Sequence, residues 1–207
     1  MKPQEIENES FRIILAEMGP HEFTPSELAI VQRVIHATAD FDYGGLLQFS
    51  PDAIRIGIHA LRGGCKLVCD VQMIKAGVNQ ARLAAFGGSV ECKVNDPQVH
   101  TLAGRLGKTR AEVAMQQMGN ILNGAVVAVG NAPTALFEVL RLFNDSQVRP
   151  ALVIGAPVGF VNAAESKEAL MQSPLNFITT RGRKGGSTVA VAIVNALLRL
   201  SEEINDA

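Results

Sequence analysis

The sequence predicts an α/β fold: a three-layer sandwich with a mainly parallel central sheet of about five strands. Short, β-branched runs without charged residues alternate along the chain with helix-forming segments. This alternation is typical of parallel strands that are buried on both faces and joined by crossover helices. Two of these runs, 125–130 and 151–155, end in turns that contain glycine and proline. Since ligands bind beyond the carboxyl ends of parallel strands, the turns 130–133 and 155–159 are predicted to border one crevice.

The predicted elements follow from helix caps and from the period of the apolar residues. A first helix covers residues 3–18. A capping box, Thr24-Pro25-Ser26-Glu27, begins a second helix that ends near His36. A third helix follows Ser50-Pro51-Asp52 and stops at Gly63-Gly64. The predicted strands are 66–71, 89–94, 125–130, 151–155 and 176–180. The other predicted helices are 109–123, 133–144, 164–173 and 187–204.

The composition indicates one domain over residues 1–207. Hydrophobic residues make up 47% of the chain and charged residues only 19%, which suffices for one sizeable core. The formal net charge is −1 and no basic run is interleaved with aromatic residues, so nucleic-acid binding is not expected. The N-terminus is acidic where a secretory signal would be basic, and no apolar run approaches the roughly 18 residues of a membrane span. A cytoplasmic protein without membrane contact is therefore predicted.

Neither a metal site nor a nucleotide site is predicted, so no cofactor is expected. The three cysteines, Cys65, Cys69 and Cys92, have no accompanying histidine pattern and are interpreted as buried core residues. The chain also lacks the Gly-x-Gly-x-x-Gly and Gly-x-x-x-x-Gly-Lys-Ser/Thr patterns that bind phosphate groups.

One concentrated group of positive charges, Arg181-Gly-Arg-Lys-Gly-Gly-Ser187, lies between the last predicted strand and the last predicted helix. There the N–H groups and the dipole of the helix would add to three cationic side chains. We call residues 181–187 the basic turn and predict that it binds an anion. A solvated surface turn is the alternative.

His36 is the best candidate for acid–base chemistry among the four histidines. It lies in the last turn of the second predicted helix, on the polar flank of an apolar stripe, and imidazole ordinarily changes charge near neutral pH. A surface or hydrogen-bonded structural role is the alternative for His36, as it is for His21, His59 and His100.

Five segments of the chain resemble the motifs of one known family: Val-Ile-His-Ala-Thr-Ala-Asp-Phe (34–41), Cys-Asp-Val-Gln-Met (69–73), Gly-Asn-Ala-Pro-Thr-Ala-Leu (130–136), Pro-Val-Gly-Phe-Val-x-Ala-Ala-Glu-Ser-Lys (157–167) and Arg-Gly-x-x-Gly-Gly-Ser (181–187). The family is precorrin-8X methylmutase, and the resemblance covers essentially the whole chain. It implies an isomerase of cobalamin biosynthesis that moves a methyl group from carbon 11 to carbon 12 of the macrocycle. The product would be hydrogenobyrinate or its cobalt form, cobyrinate, and no added cofactor would be needed. The resemblance also implies a homodimer in which the partner helps to form the pocket.

The resemblance makes His36 the general acid of the reaction, because protonation of the macrocycle would prepare its conjugated system for the methyl shift. The wide, flat polycarboxylate substrate would meet the glycine turns through backbone and the basic turn through arginine side chains. Similarity to the family adds Ser10, Asn79 and Arg110 as further contacts. The predicted substrate contacts are Ser10, Asn79, Arg110, Gly130, Asn131, Gly155, Gly159, Phe160, Arg181 and Arg183.

Two other functions remain as alternatives from the sequence. A non-catalytic corrinoid-binding carrier protein would use the same turns without needing His36, and a nucleotide-dependent α/β enzyme is disfavoured by the missing phosphate patterns. Whether the substrate is precorrin-8X or cobalt-precorrin-8 is also open. The segment 38–43 is more similar to the relatives that insert cobalt first.

Overall fold

The computed structural model describes residues 2–146 and 148–203. The strands are β1 Leu47–Phe49, β2 Lys66–Cys69, β3 Ser89–Glu91, β4 Val126–Val129, β5 Leu152–Gly155 and β6 Phe177–Thr180. They form a six-stranded sheet in the order β1-β6-β5-β4-β2-β3. The five strands from β2 to β6 are parallel to their neighbours, and the edge strand β1 is antiparallel to β6.

Helices cover both faces of this sheet. Within the described residues they are α1 Pro3–Met18, α2 Pro25–Thr38, α3 Tyr43–Leu46, α4 Ala53–Arg62, α5 Gln72–Gly77, α6 Gln80–Ala85, α7 Pro97–Leu106, α8 Arg110–Met118, α9 Pro133–Ser146, α10 Ala163–Met171 and α11 Ser187–Glu203. A 3-10 turn, Gly119–Leu122, follows α8.

Successive side chains of the inner strands point into two hydrophobic layers. In β4, Val126 and Ala128 pack in the layer that contains α2, α4 and α11, whereas Val127 and Val129 pack in the layer that contains α8, α9 and α10. Both faces of the strand are buried, which explains why the sequence of β4 is apolar throughout. The predicted three-layer α/β sandwich with a mainly parallel sheet is confirmed.

The structure contains several elements that the sequence did not predict, and most of them are short. The sequence did not predict β1, which has three residues, or α5 and α6, which have six residues each. Such segments are too short to show a hydrophobic period. The sequence also did not predict α7, although Asp96 caps it by accepting a hydrogen bond of 2.8 Å from the Gln98 N–H. The predicted helix 109–123 ends at Met118, because the 3-10 turn replaces its last part.

The sheet extends from β2 in both directions. Strand β3 lies on one side of β2 and β4 lies on the other, so the carboxyl ends of β2 and β4 border a topological switch point. The segments that follow β4, β5 and β6 begin at the same edge of the sheet. They contain the turns 130–133 and 155–159 and the basic turn, as the sequence predicts.

Helix α2 carries His36 to this edge. Its predicted capping box is confirmed: the Thr24 N–H donates to Glu27 Oε2 at 2.8 Å, and the Glu27 N–H donates to Thr24 Oγ1 at 3.3 Å. The helix ends where Ala39 takes a left-handed conformation with a φ of 52° and donates its N–H to the Ile35 carbonyl at 2.7 Å. This end places His36 in the last turn of α2.

The sequence also leads to predictions about the burial of the cysteines and about membrane-spanning helices. All three cysteines are free thiols; Cys69 is buried, and Cys65 and Cys92 are half-buried. In the part of the chain that the structure describes, no helix combines the length and hydropathy that a membrane span requires. No group of three or more His, Cys, Asp and Glu side chains among these residues is arranged to hold a metal ion.

Candidate active site

His36 is exposed, and its ring is fixed by an aromatic contact. The Phe11 ring meets the imidazole nearly edge-on, with 5.5 Å between the ring centroids and 76° between the planes. The Arg33 guanidinium lies 5.1 Å from the centroid of the same Phe11 ring. Phe11 therefore links α1 to the last turns of α2 and limits the orientations of the imidazole.

His36 opens into a cavity of about 250 Å³ between α1 and the end of α2. Ser10, Glu17, Ile35 and Phe41 also line this cavity. A second cavity of about 320 Å³ shares Glu17 and Phe41 with the first. The structure thus brings together two of the predicted site residues, Ser10 and His36, although the Ser10 hydroxyl donates to the Ile6 carbonyl at 2.8 Å within its own helix.

An ionic contact connects the end of α2 to the basic turn. Lys184 Nζ lies 2.6 Å from Asp40 Oδ2 and 2.7 Å from Asp42 Oδ2. The hydrogen bonds to Asp40 and Asp42 hold the pKa of the Lys184 ammonium well above its usual range, and the bond to Asp40 contributes most. The Tyr43 hydroxyl also donates to the Gly185 carbonyl at 3.3 Å. Lys184 therefore serves to join two loops, and its charge is neutralised within the protein.

Arg181 and Arg183 are the cations of the basic turn that face solvent. Neither forms an ion pair with any residue that the structure describes. The Arg183 guanidinium lies 5.6 Å from the centroid of the Phe160 ring, which is 84% exposed. Two exposed guanidinium groups, one of them beside an exposed aromatic ring, can bind a flat anionic molecule through charge and stacking.

The turns after β4, β5 and β6 pack directly against each other. The Gly186 N–H donates to the Ala156 carbonyl at 2.7 Å, and the Gly159 N–H donates to the Arg183 carbonyl at 3.2 Å. A Cβ atom on Gly130 would lie 2.8 Å from Ser187 Cα, which is closer than a Cβ atom approaches a non-bonded carbon atom. The close packing of the turns therefore requires glycine at position 130.

Gly155 occupies a different environment from the other predicted contacts. It ends β5 and is buried, and a Cβ atom there would lie 3.2 Å from Leu136 Cδ2 and closer still to Leu170. The core explains this glycine without a ligand. A contact between Gly155 and substrate stays a prediction.

Asp70 lies at this edge of the sheet and was not predicted as a contact, although it belongs to the motif 69–73. It follows β2, is 1% exposed, and accepts three backbone hydrogen bonds from the turn after β4. Its Oδ1 accepts from the Gly130 N–H at 3.0 Å, and its Oδ2 accepts from the N–H groups of Asn131 at 2.9 Å and Ala132 at 2.7 Å. Burial raises the pKa of the Asp70 carboxyl, and these three donors oppose the rise.

Lys167 is a second buried charged residue at this edge. Its side chain is fully buried, and Nζ donates to Thr180 Oγ1 at 3.1 Å and to the Lys184 carbonyl at 2.7 Å. Burial lowers the pKa of Lys167 to about 8. Lys167 thereby holds the basic turn from below, as Asp40 and Asp42 hold it from the loop between α2 and α3.

Two other predicted contacts, Arg110 and Asn79, each lie at the start of a helix. Arg110 begins α8, whose cap Thr109 forms a hydroxyl–hydroxyl hydrogen bond of 2.7 Å with Thr134 at the start of α9. Arg110 is exposed. Asn79 caps α6 by accepting from the Arg82 N–H at 3.1 Å, and its own N–H donates to Asn195 Oδ1 in the middle of α11. Asn79 does not line the cavity that contains His36.

A family model described as precorrin-8X methylmutase matches residues 5–200. The chain belongs to the precorrin-8X methylmutase family. The cobalt-precorrin-8 methylmutase of Priestia megaterium is 48% identical over 202 residues, which cover 98% of this chain and 90% of that protein. The precorrin-8X methylmutase of a Sinorhizobium species is 41% identical and covers 92% of this chain and 91% of its own.

Solved structures agree with the family assignment. A precorrin-8X methylmutase from Thermus thermophilus superposes with a TM-score of 0.88 at 46% sequence identity, covering 96% of this chain and 98% of that one. A chain described as a precorrin-8X methylmutase related protein gives a TM-score of 0.85 at 31% identity and covers 92% of this chain and 100% of its own. The resemblance stated from the motifs is therefore confirmed. Methylmutases transfer a methyl group within one molecule, so the expected class, an isomerase, is confirmed at the level of the family.

Proposed function

We propose that this chain moves a methyl group from carbon 11 to carbon 12 of precorrin-8X or cobalt-precorrin-8 in cobalamin biosynthesis, with His36 as the general acid and base. The observation that carries the proposal is the place of His36 in a chain of this family: an exposed imidazole that opens into a cavity, in the last turn of α2, just before the loop whose Asp40 pairs with Lys184 of the basic turn. The products would be hydrogenobyrinate or cobyrinate.

His36 would transfer a proton without any net change in composition. The imidazolium donates a proton to the macrocycle, the methyl group migrates within the protonated ring system, and the imidazole recovers the proton. The reaction is an isomerisation, so it consumes no oxidant or reductant. Phe11 assists by holding the imidazole edge-on, which limits the ring positions from which the proton can be delivered.

Charge and stacking would orient the substrate at the edge of the sheet. Its peripheral carboxylates would bind Arg181, Arg183 and Arg110, for which planar guanidinium groups are well suited. Phe160 would lie against one face of the macrocycle. Gly159 and Asn131 belong to turns at the same edge of the sheet and would approach the substrate from there.

The binding site would be completed by a second copy of the chain. The cavity at His36 measures about 250 Å³, whereas small-molecule sites usually measure roughly 300–1,000 Å³ and a corrin belongs at the upper end. Val158, Phe160 and Val161 are exposed apolar side chains beside the basic turn, which a partner would cover. Light scattering after size-exclusion chromatography tests this proposal: a monomer that turns over substrate at full rate would contradict it.

The reaction itself is tested with purified protein and both candidate substrates. Cobalt-precorrin-8 is the first to use, because the two relatives at 48% identity both carry the cobalt name. Precorrin-8X is the second, because the Thermus thermophilus protein at 46% identity carries the metal-free name. The visible spectrum reports conversion to the product. Binding without conversion would support the carrier alternative, and the absence of binding would contradict the proposal. Chelator-treated, dialysed protein should retain its rate, since no cofactor is expected.

A further inference from the structure

Asp70 joins two strands across the topological switch point. It follows β2, and its carboxylate accepts hydrogen bonds from three consecutive N–H groups in the turn that follows β4. The two residues Asp70 and Gly130 are 60 positions apart in the chain. The contact therefore fixes the turn at the edge of the sheet where parallel α/β sheets bind their ligands.

The position of this carboxylate is one that anions commonly occupy. Backbone N–H groups at the start of a helix, such as α9 here, bind the phosphate or carboxylate of a ligand. In this chain an internal carboxylate uses the three N–H groups of Gly130, Asn131 and Ala132. Asp70 thus takes the place of a bound anion.

The turn that Asp70 holds also supports the basic turn. Gly130 packs so closely on the start of α11 that an added Cβ atom would lie 2.8 Å from Ser187 Cα and 3.1 Å from the Gly186 carbonyl oxygen. Gly186 in turn donates its N–H to Ala156. A shift of Gly130 would therefore move the basic turn and the turn after β5 together.

We propose that Asp70 is a positioning residue: it replaces a bound anion at the switch point and fixes the turn Gly130–Ala132, so that Asn131 and the basic turn face the substrate. The inference rests on the proposed function, because it concerns the geometry of the same site. Asp70 itself is buried beneath the turn and acts on substrate only through these residues.

Asp70→Ala removes the carboxylate and leaves room for a small anion, so formate can replace the missing group. KM should rise about tenfold or more, as expected for lost charge-assisted hydrogen bonds, with a smaller change in kcat. Amide hydrogen exchange of residues 130–132 should become faster. Formate should lower KM towards the value of the parent protein and restore the protection of these amides, whereas chloride at the same ionic strength should do neither.

Two further variants serve as controls. Asp145→Ala removes an exposed carboxylate at the other end of α9, where Asp145 pairs with Arg141 at 3.1 Å, and should change neither KM nor exchange at 130–132. Asp70→Asn retains the volume but places an N–H₂ group against one of the three donors. It should give a smaller rise in KM than Asp70→Ala and remain insensitive to formate, and it tests the proposal if the alanine variant does not fold.

The outcomes separate positioning from stabilisation. If formate restores the melting temperature of Asp70→Ala but leaves KM elevated, Asp70 stabilises the fold alone and the inference is wrong. An unchanged KM in both Asp70 variants would also overturn it. If the parent protein does not convert the substrate, the proposed function fails. Amide exchange of residues 130–132 in Asp70→Ala then tests on its own whether Asp70 replaces a bound anion. If formate does not slow this exchange, that replacement is refuted.

Discussion

Lys167 allows a quantitative prediction from a single buried charge. Replacing it with methionine keeps the length of the side chain and removes the ammonium group. The Lys184 carbonyl remains satisfied in the variant, because Thr180 Oγ1 donates to it at 2.9 Å. The variant therefore isolates the titration of one group without leaving an unpaired acceptor in the basic turn.

The sign and size of the effect follow from the pKa of Lys167. Burial lowers this pKa from its usual 10.5 to about 8. Between these two pH values the unfolded chain retains a proton that the folded chain has lost, so the free energy of unfolding rises with pH. At about 1.36 kcal/mol per pH unit, the rise amounts to about 3 kcal/mol. It is absent below pH 8 and complete above pH 10.5.

Urea unfolding of the parent protein and Lys167→Met between pH 7 and pH 11 measures this rise. The difference in free energy of unfolding, parent minus variant, should increase by about 3 kcal/mol across the interval, while other titrating groups cancel. Lys66→Met provides the control, because the Lys66 side chain is 51% exposed and its removal should not reproduce this rise. A constant difference for Lys167→Met would refute the reasoning.

Three further predictions concern catalysis, binding and folding. His36→Ala should lower kcat by about 10²–10⁴-fold and leave product binding nearly intact, measured by turnover and absorbance titration; near-normal turnover would remove His36 from the mechanism. Arg181→Ala and Arg183→Ala should each weaken product binding about tenfold and reduce its salt dependence, whereas a solvated turn would show neither effect. Thr24→Ala removes the cap of α2 and should lower the free energy of unfolding by about 1 kcal/mol in urea titrations, a loss that Thr24→Ser should largely avoid.

The sequence predicts those parts of the site that depend on local patterns. The capping box at Thr24 and Glu27 determines where α2 begins, and the first glycine of each turn marks the end of a buried strand. Both kinds of signal involve residues within a few positions of each other. For this reason local sequence suffices to place His36 near a helix end and the glycine turns near one edge of the sheet.

Contacts between distant parts of the chain could not be predicted in this way. Lys184 meets Asp40 across 144 positions, and nothing in either local sequence indicates the partner. Lys167 lies in a helix where a lysine is ordinarily interpreted as exposed. Asp70 had two usable signals: it belongs to the motif 69–73, and an acidic residue directly after a buried strand lies at the edge where ligands bind.

The packing of Gly130 has a consequence for the interpretation of homologous sequences. The backbone of α11 leaves no room for a side chain at position 130, and the core leaves none at position 155. Both glycines would therefore be retained in a chain that had lost all catalytic activity. His36 is exposed and supports no part of the fold through hydrogen bonds among the described residues, so selection for folding alone would not preserve it. If His36 is the general acid, as proposed, a homologue that retains both glycines but lacks this histidine should be classed as a pseudoenzyme, while one that retains all three remains a candidate for the reaction.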